Sequence, residues 1–461
     1  MLNSHSPAPE ASGARVSKLP AYTESARLRL TTGTLLYLAQ GLIQGLFMIG
    51  IPTWLAANGQ SAGAVGAFIA AIGIPWSLKF LTGLFVDRYA YLAMGRRRGW
   101  LVGAQLMILI FLLVIALVNP TAEMLFVITP IFLVLSFLTS LQDVALDAMI
   151  VDLTPPSELG TVNAFMLAGK SVGLAGGGAV TAYFIEFHGF QQAMLVVAFM
   201  FLVPAVMAIS IRERPGEKLF PWTKGEAAPV SIELTSKSWW AIFRETLAVL
   251  LKRDPLLIAA LCVFYGMHQG ILEATLPVFA TQEMGWGETR YASLAGIGYL
   301  VTAGVGLLIG GWLSDKIGPS LIAQLSAGFA SLFIVVFIFF RPGPEDGLIF
   351  TTWYLTVGVI IFFFYLCMVT LGMRVCKARV AATSYALLMA SMAVGMTIGA
   401  AAVGILETWG GYNALFISAI VTLILSASTV LGLSRETGGP AMGAPAGEDL
   451  DAQQQNEMQP C

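Results

Sequence analysis

Gly83-Leu-Phe-Val-Asp87-Arg88, trailed by Gly95-Arg96-Arg97-Arg98, and Gly311-Trp-Leu-Ser-Asp315-Lys316-Ile-Gly318 are two renderings of one pattern: glycine, three residues, an acid, a base, then further glycine and base. Each copy sits between two long apolar runs, so the same loop is written twice and the chain reads as two related halves. Working outward from the loops, twelve runs reach the ~20 apolar residues needed to cross hydrocarbon. In the first half they lie at 32–56, 62–85, 99–118, 123–150, 160–185 and 190–211, and in the second at 256–281, 289–312, 319–340, 348–372, 379–405 and 411–433.

Composition demands the same answer. Of 461 residues, 57% are hydrophobic and only 11% charged, with a mean hydropathy of +0.78; soluble domains carry ~25% charged residues, and so little polar surface cannot cover a chain in water. Hydrocarbon offers no partner for open backbone, so the runs must be helices. The expectation is an all-α membrane protein with 12 transmembrane helices in two pseudo-symmetric six-helix bundles. Residues 1–31 read as a polar tail without the apolar core of a signal peptide, 32–211 as the first bundle, 212–255 as a central loop, 256–433 as the second bundle, and 434–461 as a Gly-, Pro- and Gln-rich tail expected to be disordered. Within the central loop, 239–251 has the pattern of an interfacial helix. Apart from Lys79 and Lys170, which fall inside the runs, every Lys and Arg except Arg290 and Arg341 falls on the side of the two tails and the central loop, which places both termini in the cytoplasm.

The doubled G-x-x-x-D-[RK] loop resembles the signature of the major facilitator superfamily. That resemblance implies the major facilitator fold, two halves rocking about a site near the membrane midplane, and a cytoplasmic latch made of Gly83, Asp87, Arg88, Arg96, Arg97, Gly311, Asp315 and Lys316; a simple topology anchor would need the arginines but no carboxylate. Glycines at 169, 173, 176, 177 and 178, and at 395, 399 and 404, suit either such motion or tight helix packing. Within the superfamily the first half is similar to the AmpG muropeptide permease and acetyl-CoA transporter group, on Pro75-Trp-Ser-Leu78-Lys79-Phe-Leu81, on Gly95-Arg-Arg-Arg98-Gly99-Trp100 and on Ser140-Leu-Gln142-Asp143-Val-Ala-Leu-Asp147-Ala148; Thr383-Ser-Tyr-Ala386 is a weaker match. The resemblance implies uptake of a bulky, polar solute. A siderophore-uptake branch shares the Q-D-x-x-x-D run.

A charge at the bilayer centre costs ~3 kcal/mol, so those retained should face the bundle interior or a watery cavity. Asp143 and Asp147, four apart, share one face of span four beside Gln142. Two carboxylates one turn apart repel unless one is protonated or a base such as Lys79, Lys170 or a loop arginine neutralises them; gate, coupling site and structural ion pair all remain open. Glu273, in the first span of the second half near His268 and Gln269, is the first choice for proton binding, because an acid in a water-excluded cavity can exchange protons near neutral pH. A structural hydrogen bond to a neighbouring helix is the alternative. On span one, Tyr37, Gln40 and Gln44 form a polar stripe suited to a cavity. Lys79, Gln142, Lys170, His268 and Gln269 complete the substrate-cavity candidates, with Lys170 fitted to an anionic group on the ligand.

Cys262, Cys367, Cys376 and Cys461 have neither paired nor metal-ligand spacing, and His5, His188 and His268 stand apart. No catalytic residue, metal site, cofactor or nucleic-acid motif is read, and no phosphate-cradling G-x-x-x-x-G-K-[ST] loop for ATP drive. The expectation is a secondary active transporter of the inner membrane, monomeric, with a small-molecule substrate, protons and membrane lipid as partners. An exporter or another metabolite carrier has the same fold. A membrane-embedded enzyme or a non-transporting sensor is a remote alternative.

Overall fold

The computed structural model describes residues 20–233, 248, 251–305, 309, 313, 316–375, 381–434 and 437. Gly311, Asp315, most of the segment 239–251, residues 1–19 of the N-terminal tail and nearly all of the C-terminal tail lie outside the described residues, as does the side chain of Asp87. The described chain is almost wholly helical: α1 (Ala26–Gly45), continued through a π-helical turn at Leu46–Gly50 into α2 (Ile51–Ala57), α3 (Ala62–Ser77), α4 (Lys79–Arg88), α5 (Arg98–Val118), α6 (Leu125–Leu153), α7 (Pro156–His188), α8 (Phe190–Ser210), α9 (Pro229–Glu233), α10 (Arg253–Val278), α11 (Glu288–Val305), α12 (Pro319–Phe339), α13 (Gly347–Val375) and α14 (Ala381–Val430).

Nine helical stretches among the described residues are long and apolar enough to cross a membrane, from Ala26–Ala57 to Tyr385–Val430. Three elements show why a simple hydropathy rule stops there. Helix α7 has 33 residues, but its glycines, Glu158, Lys170 and Glu186 dilute the apolar run. Helix α11 is described only to Val305. Helix α14 is broken at Gly410 and Gly411, where φ of +58° at Gly411 admits glycine at little cost.

The chain forms two compact units. The first comprises Met1–Gln60, Ala71–Trp239 and Gly287–Gly296, the second Ser61–Ala70, Trp240–Trp286 and Ile297–Cys461. Each therefore borrows about ten residues from the opposite half of the sequence. In the first unit α1 packs chiefly on α7, and in the second α10 packs chiefly on α14. Both pairs close by the same device. A Cβ on Gly173 or Gly177 would lie 2.2 or 2.3 Å from the Leu38 and Leu42 carbonyl oxygens, and one on Gly395 or Gly399 would lie 2.0 or 2.2 Å from those of Val263 and Met267. Glycine lets the two backbones touch, which is how helices associate when lipid removes the hydrophobic drive. Of the two readings these glycines allow, the packing one is directly visible.

Candidate functional site

Helices α3 and α4 would be one span but for Leu78, whose φ of −98° and ψ of +11° interrupt the helix three residues after Pro75. Proline inside a helix removes a hydrogen bond and crowds the preceding turn. Neighbouring α6 covers part of the loosened backbone, with Ser136 Oγ donating to the Ile72 carbonyl at 2.6 Å and Ser140 Oγ to that of Pro75 at 3.4 Å. The break delivers Lys79, first residue of α4, to the acidic face of α6.

There Lys79 Nζ pairs with Asp143, and at 3.4 Å with Asp147. Helix α1 supplies the other partners: Gln40 Nε2 donates to Asp143 and the Tyr37 hydroxyl to Asp147. Gln142 Nε2 reaches the Leu36 carbonyl at 3.5 Å. The Lys170 ammonium of α7 stands 5.9 Å from the centre of the Tyr37 ring, a cation–π contact. Gln44, further along α1, is half-buried. The structure thus gathers five residues of the sequence-predicted set into one network, in which Lys79 rather than Lys170 or a loop arginine neutralises the two acids. The acids differ in access. The Asp143 side chain is 4% exposed and that of Asp147 41% exposed, so one is sealed and the other open.

The second unit holds a smaller polar site. Glu273 of α10 accepts from the Tyr299 hydroxyl of α11 at 2.7 Å and from the Gln269 side chain one turn back. His268 is turned away from it into the packing with α14, 1% exposed, with Nδ1 at 2.8 Å from the Ala419 carbonyl oxygen. Tyr299 was not among the sequence-predicted residues. No motif surrounds it, and only its position one helix away in space discloses it.

At the first signature loop the arginines have partners outside the loop. Arg96 and Arg97 pair with Asp152 at the end of α6, at 3.0 and 3.3 Å. Their backbone is held by Glu213, whose carboxylate accepts the N–H groups of Arg96, Arg97 and Arg98 at 2.9, 2.6 and 2.6 Å. Gly95 makes room: at φ of +100°, a Cβ there would lie 2.5 Å from the Glu213 carboxyl carbon. The Arg98 guanidinium is buried and donates to the Ile209 and Leu219 carbonyls, each at 2.6 Å. Arg29 and Glu158 add a two-bonded ion pair at 2.8 and 2.7 Å between α1 and the first turn of α7. Burial raises the Glu213 carboxyl against the lowering effect of its three donors. Burial, with the nearby Glu213 charge, pushes Glu217 up to about 7. Arg88 is exposed, its guanidinium 5.9 Å from the centre of the Tyr89 ring, and Lys316 is exposed. Sequence reading missed Asp152, Glu158 and Glu213. The signal present was a lone acid followed by Arg214-Pro215, immediately after span six.

Among the described residues no group of three or more His, Cys, Asp or Glu side chains is arranged to hold a metal ion. The arrangement is one of buried ion pairs and hydrogen-bonded acids within membrane helices, suited to binding and exchanging charge.

Comparison with known proteins agrees. The chain is similar to the anhydromuropeptide permease of Escherichia coli (strain K12), 25% identical over 378 residues that span 77% of this chain and 70% of that protein. It is also similar to the putative transporter AmpG 4 of Rickettsia felis, 22% identical over 416 residues, 86% of this chain and 95% of the relative. Among solved structures, the nucleoside transporter NupG superimposes with a TM-score of 0.62 at 13% identity, over 88% of this chain and 98% of that one. A POT family transporter in complex with 5-aminolevulinic acid gives 0.61 at 15%, over 87% and 95%. At such identities the structural matches establish the fold alone. With the Major Facilitator Superfamily model matching residues 33–400, this chain belongs to that superfamily and is a membrane transporter related to the AmpG permeases.

Proposed function

We propose that the chain is a proton-driven importer of a bulky, polar, anion-bearing solute of the muropeptide class, working by alternating access in the bacterial inner membrane as a monomer of twelve spans with both termini cytoplasmic. The observation that carries the reading is the network of Tyr37, Gln40, Lys79, Asp143 and Asp147, with Lys170 beside it. Lys79 is engaged by two carboxylates. Lys170 has no ion-pair partner among the described residues and stands over a tyrosine ring. Lys170 is half-buried, and a cation partly withdrawn from water without a carboxylate is a ready partner for an arriving anion; a peptide-bearing sugar fragment carries carboxylates.

Coupling is assigned to Glu273. Its two donors, Tyr299 and Gln269, hold the carboxylate in place, and protonation would release the Tyr299 hydroxyl to another acceptor. That exchange ties a proton to the contact between α10 and α11. One charge moving down 100 mV supplies about 2.3 kcal/mol, enough to concentrate a neutral solute tens of fold. The Asp143–Lys79–Asp147 set serves as a gate whose ion pairs exchange as the helices move.

The test is accumulation of labelled anhydromuropeptide in right-side-out and everted vesicles under an imposed proton gradient. Uphill uptake in right-side-out vesicles, lost in Glu273→Gln while counterflow persists, is the expected result. Unchanged uphill uptake in that variant removes Glu273 from coupling, and accumulation only in everted vesicles makes the chain an exporter.

A further inference from the structure

Helix α4 ends and α5 begins at a membrane boundary, since the apolar run Arg98–Val118 starts there. At that point Tyr89, Tyr91, Met94, Gly99, Trp100 and Pro221 line a pocket of about 300 Å³. One wall is a piece of the central loop held by its backbone. The Lys218 N–H donates to the Ala93 carbonyl at 2.8 Å and Arg98 Nη1 to that of Leu219 at 2.6 Å, while Thr223 Oγ1 accepts the Leu219 and Phe220 N–H groups at 3.0 Å each. The opposite wall is aromatic, with the Phe85 ring 4.8 Å from that of Tyr89 and 5.3 Å from that of Trp100. The whole pocket lies within the first unit.

Its chemistry selects an occupant. Two cations stand at the rim: the Arg88 guanidinium lies over Tyr89, and Lys218 Nζ donates to the carbonyl of pocket-lining Pro221 at 3.4 Å. Neither has an ion-pair partner among the described residues. Trp100 Nε1 is buried with no acceptor, although a buried indole N–H usually finds one. Tyr89 and Tyr91 are exposed, at the depth where tyrosine and tryptophan meet the polar layer of a bilayer. From the pocket an outward stripe runs down α5 through Gly99, Gly103, Met107, Ile110 and Val114, and a Cβ on Gly103 would meet nothing within 4 Å. Glycine here serves no helix contact and leaves a shallow apolar groove. A soluble anion would use the cations alone, whereas an anion with a long apolar body uses the cations and the groove together.

We propose that this pocket is a binding site for one anionic phospholipid, its phosphate drawn by Arg88 and Lys218 and an acyl chain lying along α5 over Gly103. Basic pockets at the ends of membrane helices hold such headgroups by charge, at close range and with little help from the rest of the lipid. The groove adds the part that a water-soluble phosphate lacks.

Native mass spectrometry of the full chain, released from detergent after titration with phosphatidylglycerol, phosphatidylethanolamine or glycerol phosphate, reads the site directly. The parent should retain one phosphatidylglycerol in preference to the zwitterionic lipid, and glycerol phosphate at matched concentration should not displace it. Arg88→Gln/Lys218→Gln should weaken that binding by about fivefold for each cation removed. Arg27→Gln/Lys252→Gln, which removes two exposed cations outside the pocket, should leave it unchanged. Gly103→Phe, which fills the groove and keeps every charge, should also weaken it. Equal loss in the two charge-removing pairs would mean general attraction to a basic surface and overturn the site. Equal retention of phosphatidylethanolamine overturns the anionic selectivity, and displacement by glycerol phosphate makes the occupant a soluble phosphate instead of a lipid. The comparisons on the parent need no variant to fold.

Discussion

Lys79 shows how much one side chain can decide. It holds the ammonium that makes two carboxylates tolerable one helical turn apart, and the Asp143 side chain is nearly sealed. Removing one partner of a buried pair costs about 3 kcal/mol, whereas replacing both with apolar or neutral groups of similar volume is close to neutral. Lys79→Ala should therefore lower the unfolding temperature clearly in detergent, and Lys79→Met/Asp143→Asn should recover most of that loss while remaining inactive in transport. Equal melting of both variants would remove the pairing argument. Glu217 makes a second prediction, with a sign. Its carboxyl is raised from 4.5 to about 7 by burial and then by Glu213, so the folded chain binds this proton more tightly than the unfolded one. The associated stability is complete below ~4.5 and is lost as pH rises through ~7. Thermal unfolding should fall between pH 5 and pH 8, and Glu217→Gln should flatten that slope. The acid pair of span four was legible because charge is rare in apolar runs. Glu213 was not, because its role depends on a loop more than one hundred residues away, with Arg98 as its last donor.

At the scale of elements, glycines of one helix separate by what faces them. A Cβ on Gly177 would lie 2.3 Å from the Leu42 carbonyl oxygen, while one on Gly176, its neighbour, meets nothing within 4 Å. Gly176→Ala should be tolerated or slightly stabilising, by up to ~1 kcal/mol from helix propensity. Gly177→Ala should push α1 and α7 apart and reduce the yield of monodisperse protein. Fluorescence-detected size exclusion of the two variants compares them directly, and equal behaviour would show that the contact does not hold the pair together. Composition announced that α7 and α14 were glycine-rich. Which glycines touch was not readable, because helical phase fixes a face and the neighbour on that face is set by packing. The latch reading of the signature loop shows the same division. Its arginines were evident, yet their partner Asp152 stands in α6.

For the whole molecule, the borrowed segments carry a consequence. Since Ser61–Ala70 packs within the second unit and Gly287–Gly296 within the first, neither half of the chain completes its own packing. A fragment ending at Trp239 and one beginning at Trp240 should each be protease-sensitive in membranes and become resistant when co-expressed. Resistance of either fragment alone would argue that the exchange contributes little.

The sequence by itself determined that this is a helical membrane protein with a repeated loop and a short set of buried charges. Hydropathy and charge are properties of each residue against lipid, summed along the chain without reference to neighbours. Tertiary structure alone decided that Lys79 neutralises both acids, that Tyr299 serves Glu273 and that Glu213 gathers the arginine loop. Each of those is a distance of about 3 Å between groups distant in sequence, and such distances exist only after the helices have packed.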